Sequence, residues 1–487
     1  MKIAFISSEV VPFAKTGGLA DVAGTLPKAL GQAGVKVAII MPFYNSISAK
    51  TFGIKSLKQT VTVPVGDKKV AGKIFQTSLS KNVEVFFIQQ PAYFDREYLY
   101  QTKAGDYPDN SERFSFFAKA ALELIASFKT KCDLIHCHDW QAALVPVYLK
   151  TLYKNNPALK NVKTVLTIHN LGYQGLFEHM DMPMLNLDWS LFTFDKLEFY
   201  GKINFLKAGI VFADKITTVS KKYAQEILTP EYGCGLEAVL HERKKDIVGI
   251  LNGIDYSHWD PATDKLIPKK YSAKELKGKD ACRTELQKCF KLPVRKDVPI
   301  MGIISRLATQ KGFDLLEDVI PSLIKANVQV VVLGTGEPHY HELFQTLAQK
   351  YPKDVGVALK FDNSLAHLIE AGSDFFLMPS RYEPCGLNQM ISMKYGTIPV
   401  VRATGGLDDS VTPFNKNTLK GNGFKFQKYD AQEFIKTLNK SLTTFRDQKT
   451  FKKLILNAMK TDFSWNRSAE EYIELYEKIR SKKKQRR

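Results

Sequence analysis

Short apolar runs rich in Val and Ile alternate with amphipathic segments along almost the whole chain, and this alternation strongly constrains the fold. The runs have the length of strands, whereas the segments between them repeat apolar residues at helical spacing. Such a rhythm is typical of parallel sheets joined by crossover helices. The predicted strands are 3–7, 36–40, 83–88, 133–136, 164–168, 215–219 and 247–250, then 300–304, 328–333, 355–359, 375–378 and 398–400; predicted helices include 113–128, 141–153 and 313–325.

Two sets of strands in a chain of 487 residues predict an α/β protein with two doubly wound domains, because the chain is too long for one ordinary core. We place the N-terminal domain at 1–250, a linker near 252–265 and the C-terminal domain at 262–460. The charged segment 269–291 is predicted to be helical and to cover the second domain.

Composition narrows the class of protein. An apolar share of 44% and a charged share of 24% are those of a soluble globular chain, and no apolar run approaches the ~18 residues of a membrane span. The apolar run at 3–6 is shorter than a secretory core of ~7–15 residues and is followed by Glu9, so we expect a cytoplasmic protein. Six cysteines without a CxxC pair favour neither a disulfide framework nor structural zinc.

The chain is strongly basic, with 69 Lys and Arg against 50 Asp and Glu, and 69 − 50 gives +19. This balance suits nucleic acid, an anionic surface or anionic small substrates. The basic residues are spread along the chain except in the tail 481–487, and no nucleic-acid module is present. We therefore predict a solvated tail and no nucleic-acid or membrane partner.

The stretch 381–389 joins a carboxylate to a helix start. Glu383 follows the predicted strand 375–378, and Gly386 opens the next helical pattern. Free backbone N–H groups at a helix start suit a phosphate, and a nearby carboxylate can accept hydrogen bonds from hydroxyls. A sugar linked to phosphate offers both groups. The alternative is a plain helix entry, with Pro384 and Gly386 as turn formers and Glu383 as a solvated acid.

Arg306 and Lys311 also lie directly between a predicted strand and a helix. Two cations beside a helix start form an anion site, and a diphosphate leaving group needs such charge compensation. A pair of structural surface cations is the alternative. Two further glycine turns follow strands and strengthen the functional interpretation: Gly334-Thr335-Gly336 and Gly405-Gly406.

Near the start, Lys15 precedes the pair Gly17-Gly18, where the backbone can approach a ligand closely and the ammonium can supply a point charge. The G-x-G-x-x-G spacing of a dinucleotide-binding loop is absent. Asp21 suits either a helix N-cap or a ligand contact.

His169 and Asn170 end a predicted strand, which directs polar groups to the ligand-binding edge of a sheet, although a lone His is often structural. His136 and His138 share one face of another strand and suggest a metal. No second ligand cluster accompanies them, so we predict no metal and expect Asp139 to contact sugar hydroxyls instead.

Eight segments in order carry a family resemblance: KTGGLADV, HDW, HNLGYQG, ILNGID, SRLATQKG, SRYEPCGLNQ, TGGLDDSV and DFSW. The chain resembles the bacterial glycogen synthases and plant starch synthases over nearly its whole length. The resemblance implies a GT-B architecture, two Rossmann-like domains facing one another across a deep cleft, with a C-terminal helix at 463–480 packing back on the first. It also implies retaining transfer of glucose from ADP-glucose or UDP-glucose to the non-reducing 4-hydroxyl of an α-1,4-glucan, either glycogen or a maltooligosaccharide.

By motif match, Arg306 and Lys311 neutralise the diphosphate, Glu383 holds the glucose hydroxyls, and His169 lies beside the glucose, acting largely through its backbone carbonyl. Lys15 and Asp139 complete the predicted catalytic set. The positions assigned to substrate binding are Gly18, Asp21, Asn170, Gln174, Asn252, Gly334, Thr335, Phe361, Cys385, Gly386, Leu387, Asn388, Gly405 and Gly406.

The family's retaining chemistry uses the departing phosphate to assist the acceptor on the same face of the sugar. This agrees with the residues, because no second acid is clearly paired with Glu383 as a hydrolase would require. Neither metal nor cofactor is expected, since the two cations supply the charge compensation. Because the predicted groups come from both domains, we expect an open form without substrate.

Three residues differ from the family's usual motifs and bear on the choice of nucleotide-sugar donor. Asn388 stands where the family usually has Thr, Phe361 where bacterial members often have Tyr near the base, and Gly172 replaces a more usual Ala. Rival hypotheses are another GT-B glycosyltransferase, such as a sucrose or trehalose-phosphate synthase, and a catalytically silent glucan-binding protein. The start KTGGLADV and the long segment 98–114 argue against another GT-B glycosyltransferase. The charged residues Lys15, Arg306, Lys311 and Glu383 are all present, which argues against a silent binding protein.

Overall fold

Two sheets contain all twelve strands that the sequence predicts. The computed structural model describes residues 1–102 and 105–481, so of the predicted tail 481–487 only Ser481 lies within the described residues. One unit comprises Met1–Val219, Ala224–Gly253 and the segment from Trp465 onward; the second comprises Ser220–Tyr223 and Ile254–Ser464. The predicted domain ranges, 1–250 and 262–460, differ from this division in three places. Residues 220–223 belong to the second unit, residues 251–253 belong to the first, and the second unit extends from 254 to 464.

The strands of the first unit are β1 (Lys2–Ile6), β2 (Lys36–Pro42), β3 (Lys55–Val65), β4 (Lys68–Ser80), β5 (Val83–Gln89), β6 (Gln101–Thr102), β7 (Gly105–Asp106), β8 (Leu134–His138), β9 (Lys163–Ile168), β10 (Leu176–Glu178), β11 (Glu198–Phe199), β12 (Lys202–Asn204), β13 (Lys215–Thr218) and β14 (Ile247–Gly249). The large sheet has the order β14-β13-β9-β8-β1-β2-β5-β4-β3. Its strands are parallel from β14 to β5, and β4 and β3 extend it in antiparallel fashion.

The helices numbered α1 to α9 are α1 (Gly18–Gln32), α2 (Pro91–Phe94), α3 (Asn110–Ala126), α4 (Asp139–Ala142), α5 (Leu144–Lys150), α6 (Met182–Leu185), α7 (Phe205–Phe212), α8 (Lys221–Glu226) and α9 (Glu237–Glu242). α8 includes residues of both units. Every residue of β8 is buried, as expected of a central parallel strand covered on both faces. The last helix, Trp465–Ser481, belongs to this unit and packs against α1.

The second unit contains one parallel sheet of order β17-β16-β15-β18-β19-β20. Its strands are β15 (Ile300–Ile304), β16 (Gln329–Leu333), β17 (Val355–Ala358), β18 (Phe375–Met378), β19 (Ile398–Arg402) and β20 (Phe424–Phe426). The helices are α10 (Lys277–Cys289), α11 (Asp314–Lys325), α12 (Pro338–Lys350), α13 (Asn363–Gly372), α14 (Asn388–Lys394), α15 (Gly405–Ser410), α16 (Ala431–Arg446) and α17 (Gln448–Lys460), so the final helix of the chain is α18.

The predicted α/β class with two doubly wound, parallel-sheet domains is confirmed. Some local predictions are wrong. The strands β3 and β4 were not predicted, because Lys, Gln and Thr interrupt their apolar residues. The predicted helix 141–153 is divided between α4 and α5, and the helix within 269–291 covers only Lys277–Cys289. No helix in the described part of the chain is long and apolar enough to cross a bilayer.

Candidate functional site

Three of the predicted loops lie at the carboxyl ends of neighbouring strands in the first unit. The strand order β9-β8-β1 places side by side the loop containing Lys15, the start of α4 at Asp139, and His169. Ligands bind at this edge of open α/β sheets. The topology therefore brings together residues that are more than a hundred positions apart in sequence.

A glutamate that the sequence analysis did not assign to the site organises the glycine loop. The Glu9 carboxylate is almost fully buried and accepts hydrogen bonds from the backbone N–H and hydroxyl of Thr16 and from the N–H of Gly17, the last at 3.1 Å. It also accepts one from the Tyr100 hydroxyl at 2.8 Å. A buried carboxylate held by several donors fixes the loop that leads into α1.

The residues that follow are open to ligands. Gly18 is the first residue of α1, and a Cβ placed there would meet nothing within 4 Å. The ammonium of Lys15 lies 2.7 Å from Asp21 Oδ1 in an exposed ion pair. The cap position is Gly17, so the interpretation of Asp21 as the N-cap is wrong.

Asp139 is held in a strained conformation beside His169. Its φ of +53° lies in the left-handed region, which is costly for a residue with a Cβ. Its Oδ1 accepts a hydrogen bond of 2.7 Å from the backbone N–H of His169. Burial raises the pKa of Asp139 to about 7, and that hydrogen bond opposes the rise.

Three histidines line the adjacent strand ends. His138 Nδ1 lies 3.0 Å from His169 Nε2. His136 uses both ring nitrogens on protein partners, Thr167 Oγ1 at 2.6 Å and the Tyr476 hydroxyl at 2.8 Å. Burial lowers the pKa of His136 and His169 to about 3 and lowers that of His138 as well, so all three rings are neutral. Among residues 1–102 and 105–481 no group of three His, Cys, Asp or Glu is arranged to hold a metal ion.

The remaining predicted positions of the first unit have different surroundings. The Gln174 amide donates to Cys234 O at 3.0 Å and accepts from Asn204 at 2.6 Å, which favours a structural role. Asn170 Oδ1 closes a local turn with the N–H of Gly172 at 3.0 Å. Asn252 follows β14, and its buried Oδ1 has no hydrogen-bond partner among the described residues.

In the second unit, four loops with predicted site residues follow the adjacent strands β16, β15, β18 and β19. Glu383 is 6% exposed and accepts hydrogen bonds from the Lys311 ammonium at 2.6 Å and from Ser380 Oγ at 3.1 Å. Arg306 is exposed, and its guanidinium reaches Gln310 Oε1 at 3.5 Å. The two predicted cations and the carboxylate therefore lie on neighbouring strand ends of one sheet.

Close backbone contacts require the glycine turns. A Cβ at Gly405 would lie 2.0 Å from Glu383 O, and its φ of +45° is also unfavourable for other residues. A Cβ at Gly334 would lie 1.9 Å from Ser305 O. The N–H of Gly406 donates to Glu383 O at 3.1 Å. These turns hold the loops carrying Glu383 and Arg306 in place.

Some other predicted side chains of this unit are bonded within the protein, and others are exposed to a ligand. The Asn388 amide donates to Ile304 O at 2.8 Å, so this side chain ties α14 to β15 in this structure. Thr335 Oγ1 lies 3.3 Å from His341 Nε2, and Cys385 is buried. Phe361 is 89% exposed, which leaves its ring free to stack on a flat ligand group. The φ of +68° at Gly386 sets the turn before Leu387, the N-cap of α14.

Sequence reasoning overlooked Glu9, His138, Tyr100 and Ser380 as site neighbours. Glu9 lies only eight residues before Gly17, in the same connection between β1 and α1, which is a usable signal, whereas Tyr100 reaches Glu9 only through the fold. For His138 the sequence suggests only a metal-ligand role, because its contact with His169 joins two strand ends that are separated in sequence.

Family models match both halves of the chain. A model described as "Starch synthase catalytic domain" matches residues 2–242, and one described as "Glycosyl transferases group 1" matches residues 286–478. The chain is similar to proteins named "Glycogen synthase" from Koribacter versatilis, at 49% identity over 99% of this chain and 98% of the relative, and from Thermotoga maritima, at 48% over 99% of each.

Solved structures agree with these matches. The catalytic domain of starch synthase IV from Arabidopsis thaliana, solved with ADP and acarbose, matches with a TM-score of 0.90 at 37% identity, over 98% of this chain and 99% of that one. A sucrose-phosphate synthase from Thermosynechococcus elongatus matches with a TM-score of 0.59 at 18% identity, over 98% of each chain, which shows the fold alone. The predicted GT-B fold and family are confirmed. The chain belongs to the glycogen synthase and starch synthase family of glycosyltransferases.

Proposed function

We propose that the protein extends an α-1,4-glucan, such as glycogen or a maltooligosaccharide, by transferring glucose from ADP-glucose to the non-reducing 4-hydroxyl with retention of configuration. The observation that carries this proposal is the group formed by Glu383, Lys311 and Arg306 at adjacent strand ends. The ADP in the similar starch synthase structure favours ADP-glucose over UDP-glucose as the donor.

In the second unit, the cations suit the diphosphate of a nucleotide sugar and the carboxylate suits its glucose hydroxyls. Lys311 has three N–H donors, so it can keep its contact with Glu383 and still donate to a phosphate oxygen. Arg306 adds a guanidinium that suits a phosphate. The Glu383 carboxylate can accept further hydrogen bonds from glucose hydroxyls through its second oxygen. The cations would compensate the charge that develops on the leaving diphosphate.

In the first unit, neutral groups suit the sugar and the acceptor. His169 is uncharged, and burial raises the pKa of Asp139 to about 7, which favours its protonated form more than in an exposed carboxyl. Hydrogen bonds from such groups orient hydroxyls without placing a full positive charge beside an electron-poor sugar. Lys15 and the N–H groups at the start of α1 add electrostatic stabilisation of anions.

Retention follows if the leaving diphosphate accepts the proton of the incoming 4-hydroxyl on the same face of the sugar. The bond between the anomeric carbon and the diphosphate oxygen breaks, the bond to the acceptor oxygen forms, and the proton passes to the diphosphate. Positioning and electrostatic stabilisation then supply most of the acceleration. No metal is required for the charge compensation in this scheme.

The proposal is tested by incorporation of labelled glucose into glycogen, with ADP-glucose and UDP-glucose in parallel, with and without a chelator. We expect faster incorporation from ADP-glucose and no effect of the chelator. Faster incorporation from UDP-glucose would overturn the donor assignment, and loss of activity with chelator would overturn the metal-independent scheme. A folded protein that transfers from neither donor would contradict the proposed function.

The stereochemical part has its own test. Proton NMR of a maltooligosaccharide extended by the enzyme reports the configuration of each new linkage through its anomeric proton. An α linkage at the 4-position is expected, and a β linkage would contradict retention.

We also propose a cytoplasmic location. The support is that all six cysteines are free and four of them are buried, as expected for a chain kept under reducing conditions. Fractionation of the source cells, with the protein followed by antibody, should recover it with cytoplasmic marker enzymes.

A further inference from the structure

His138 is a buried histidine in direct contact with a predicted catalytic residue. Its Nδ1 lies 3.0 Å from His169 Nε2, and its own Nε2 is buried with no hydrogen-bond partner within residues 1–102 and 105–481. Both rings are neutral, so each carries a single proton. The contact between them therefore requires one ring to donate and the other to accept.

The unpaired nitrogen of His138 decides which ring donates. If His169 donated from Nε2, His138 would carry its proton on Nε2, where a buried N–H group would have no acceptor. Orphaned buried N–H groups are rarer than unpaired acceptors in folded proteins. The favourable arrangement places the His138 proton on Nδ1, from which it donates to His169 Nε2. The proton of His169 must then lie on its own Nδ1.

The His138 ring is fixed by its neighbours. It packs against the rings of Phe5 and His136, each with its centroid 4.1 Å away. His136 is in turn held by Thr167 Oγ1 and by the Tyr476 hydroxyl on α18. A ring packed in this way cannot swing away, so its donor remains aimed at His169. The backbone N–H of His169 is held separately, by Asp139.

We propose that His138 is a positioning residue that sets the tautomer of His169, so that His169 presents an N–H donor from Nδ1 toward the donor sugar. This inference rests on the proposed function, in which His169 lies beside the transferred glucose. Within the described residues, His169 Nδ1 has no protein partner. A neutral N–H donor matches the oxygen of a sugar hydroxyl, and the fixed tautomer prepares it before the substrate arrives.

Two variants of nearly equal shape test the proposal. In His138→Asn the side-chain amide can replace the Nδ1 donor, whereas His138→Leu has the same branching without a donor. We expect His138→Leu to lower kcat by about 10–100-fold with little change in KM for the nucleotide sugar, and His138→Asn to recover activity to within about fivefold of wild type. Equal activity of the two variants would overturn the proposal.

A spectroscopic readout separates the tautomer from activity. Long-range proton–nitrogen correlation spectra of protein labelled with ¹⁵N at histidine distinguish protonated from unprotonated ring nitrogens. The His169 signals are identified by their loss in His169→Asn. We expect wild type to show a protonated Nδ1 and an unprotonated Nε2 at His169. A protonated Nε2 would overturn the proposal even if every variant were inactive.

The two failures are distinguishable. If wild type transfers glucose from neither nucleotide sugar, the proposed function fails while the spectrum still reports the tautomer. If wild type is active but His138→Leu retains full activity, only the positioning role fails. Thermal unfolding identifies any variant that does not fold. The wild-type spectrum then decides between the two tautomers of His169 without that variant.

Discussion

The two candidate regions use opposite electrostatics. In the first unit, burial keeps His136, His138 and His169 neutral and raises the pKa of Asp139 to about 7. In the second unit, Lys311 and Glu383 form an ion pair and Arg306 adds a second cation. Neutral hydrogen-bonding groups suit sugar hydroxyls, and cations suit a diphosphate. We infer from this contrast that the two units serve different parts of the proposed nucleotide-sugar reaction.

The backbone reinforces this contrast. The charged loops of the second unit are fixed by glycines that contact neighbouring carbonyls, such as Gly405 against Glu383 O. In the first unit, side chains hold the loops, with Glu9 binding the glycine loop and Asp139 binding the backbone of His169. We therefore expect substitution of a glycine to harm the second region, and substitution of buried side chains to harm the first.

The largest expected effect is at Glu383. We expect Glu383→Gln to lower glucose transfer by at least ~10²-fold while the fold is retained, because the amide keeps the shape but loses the charge and one acceptor. Steady-state rates with ADP-glucose and glycogen measure the loss.

Glu370→Gln provides a matched control for that prediction. Glu370 is also buried in the second unit, but there burial raises the pKa of the carboxyl well above its usual range, which favours the protonated form. We expect transfer close to wild type for this variant. Similar losses in both variants would mean that Glu383 acts through stability rather than at the substrate.

Arg306→Ala is expected to lower transfer by about 10²-fold, because it removes one of the two cations that we propose to compensate the diphosphate charge. The matched control is Arg446→Ala, which removes an exposed arginine from the last turn of α16 in the same unit. Wild-type rates in Arg306→Ala would remove the diphosphate role of this arginine. A large loss in the control would point instead to the overall charge of the protein.

A smaller effect is expected for Gly405→Ala. The added Cβ would lie 2.0 Å from Glu383 O, so the loop must shift, and we expect a loss of about 1–3 kcal/mol in stability together with weaker transfer. Gly53→Ala is the control, since Gly53 also has a positive φ, +60°, but a Cβ added there would meet nothing within 4 Å. If both substitutions lower the free energy of unfolding equally, the close contact between Gly405 and Glu383 O is not the cause of the loss.

The smallest expected effect concerns Asp139. Its pKa is raised from 3.8 to about 7 on folding, so the folded state binds more protons than the unfolded state between about pH 4 and 7. Ionising Asp139 therefore destabilises the folded state. This destabilisation is absent below pH 4, grows as the pH rises and is complete above pH 7. Asp139→Asn removes this destabilisation and can still accept the hydrogen bond from the His169 N–H. Because Asp139 is only partly buried, we expect less than the full linkage effect, a gain in stability that is larger at pH 8 than at pH 5 by roughly 1 kcal/mol. Denaturant unfolding at both pH values measures the gain, and an equal change at both would contradict the raised pKa.

The sequence predicted the parallel strands and the loops at their ends because buried apolar runs and glycine turns are local signals. It missed β3 and β4, whose apolar residues alternate with Lys, Gln and Thr on partly exposed strands. It also missed the link between Glu9 and Tyr100 and the contact between His138 and His169, which exist only after strands distant in sequence have paired. The Gln174 prediction rested on a motif alone, and the structure shows its amide bonded to Asn204 and Cys234.

Calorimetric binding of ADP, which carries the diphosphate without the glucose, separates the proposed roles of the two regions. We predict that Arg306→Ala weakens ADP binding by at least ~10-fold, since a charge-assisted contact is lost. We predict that His169→Asn leaves ADP affinity within about twofold of wild type while abolishing most transfer from ADP-glucose. Equal weakening of ADP binding by both substitutions would contradict the division of roles.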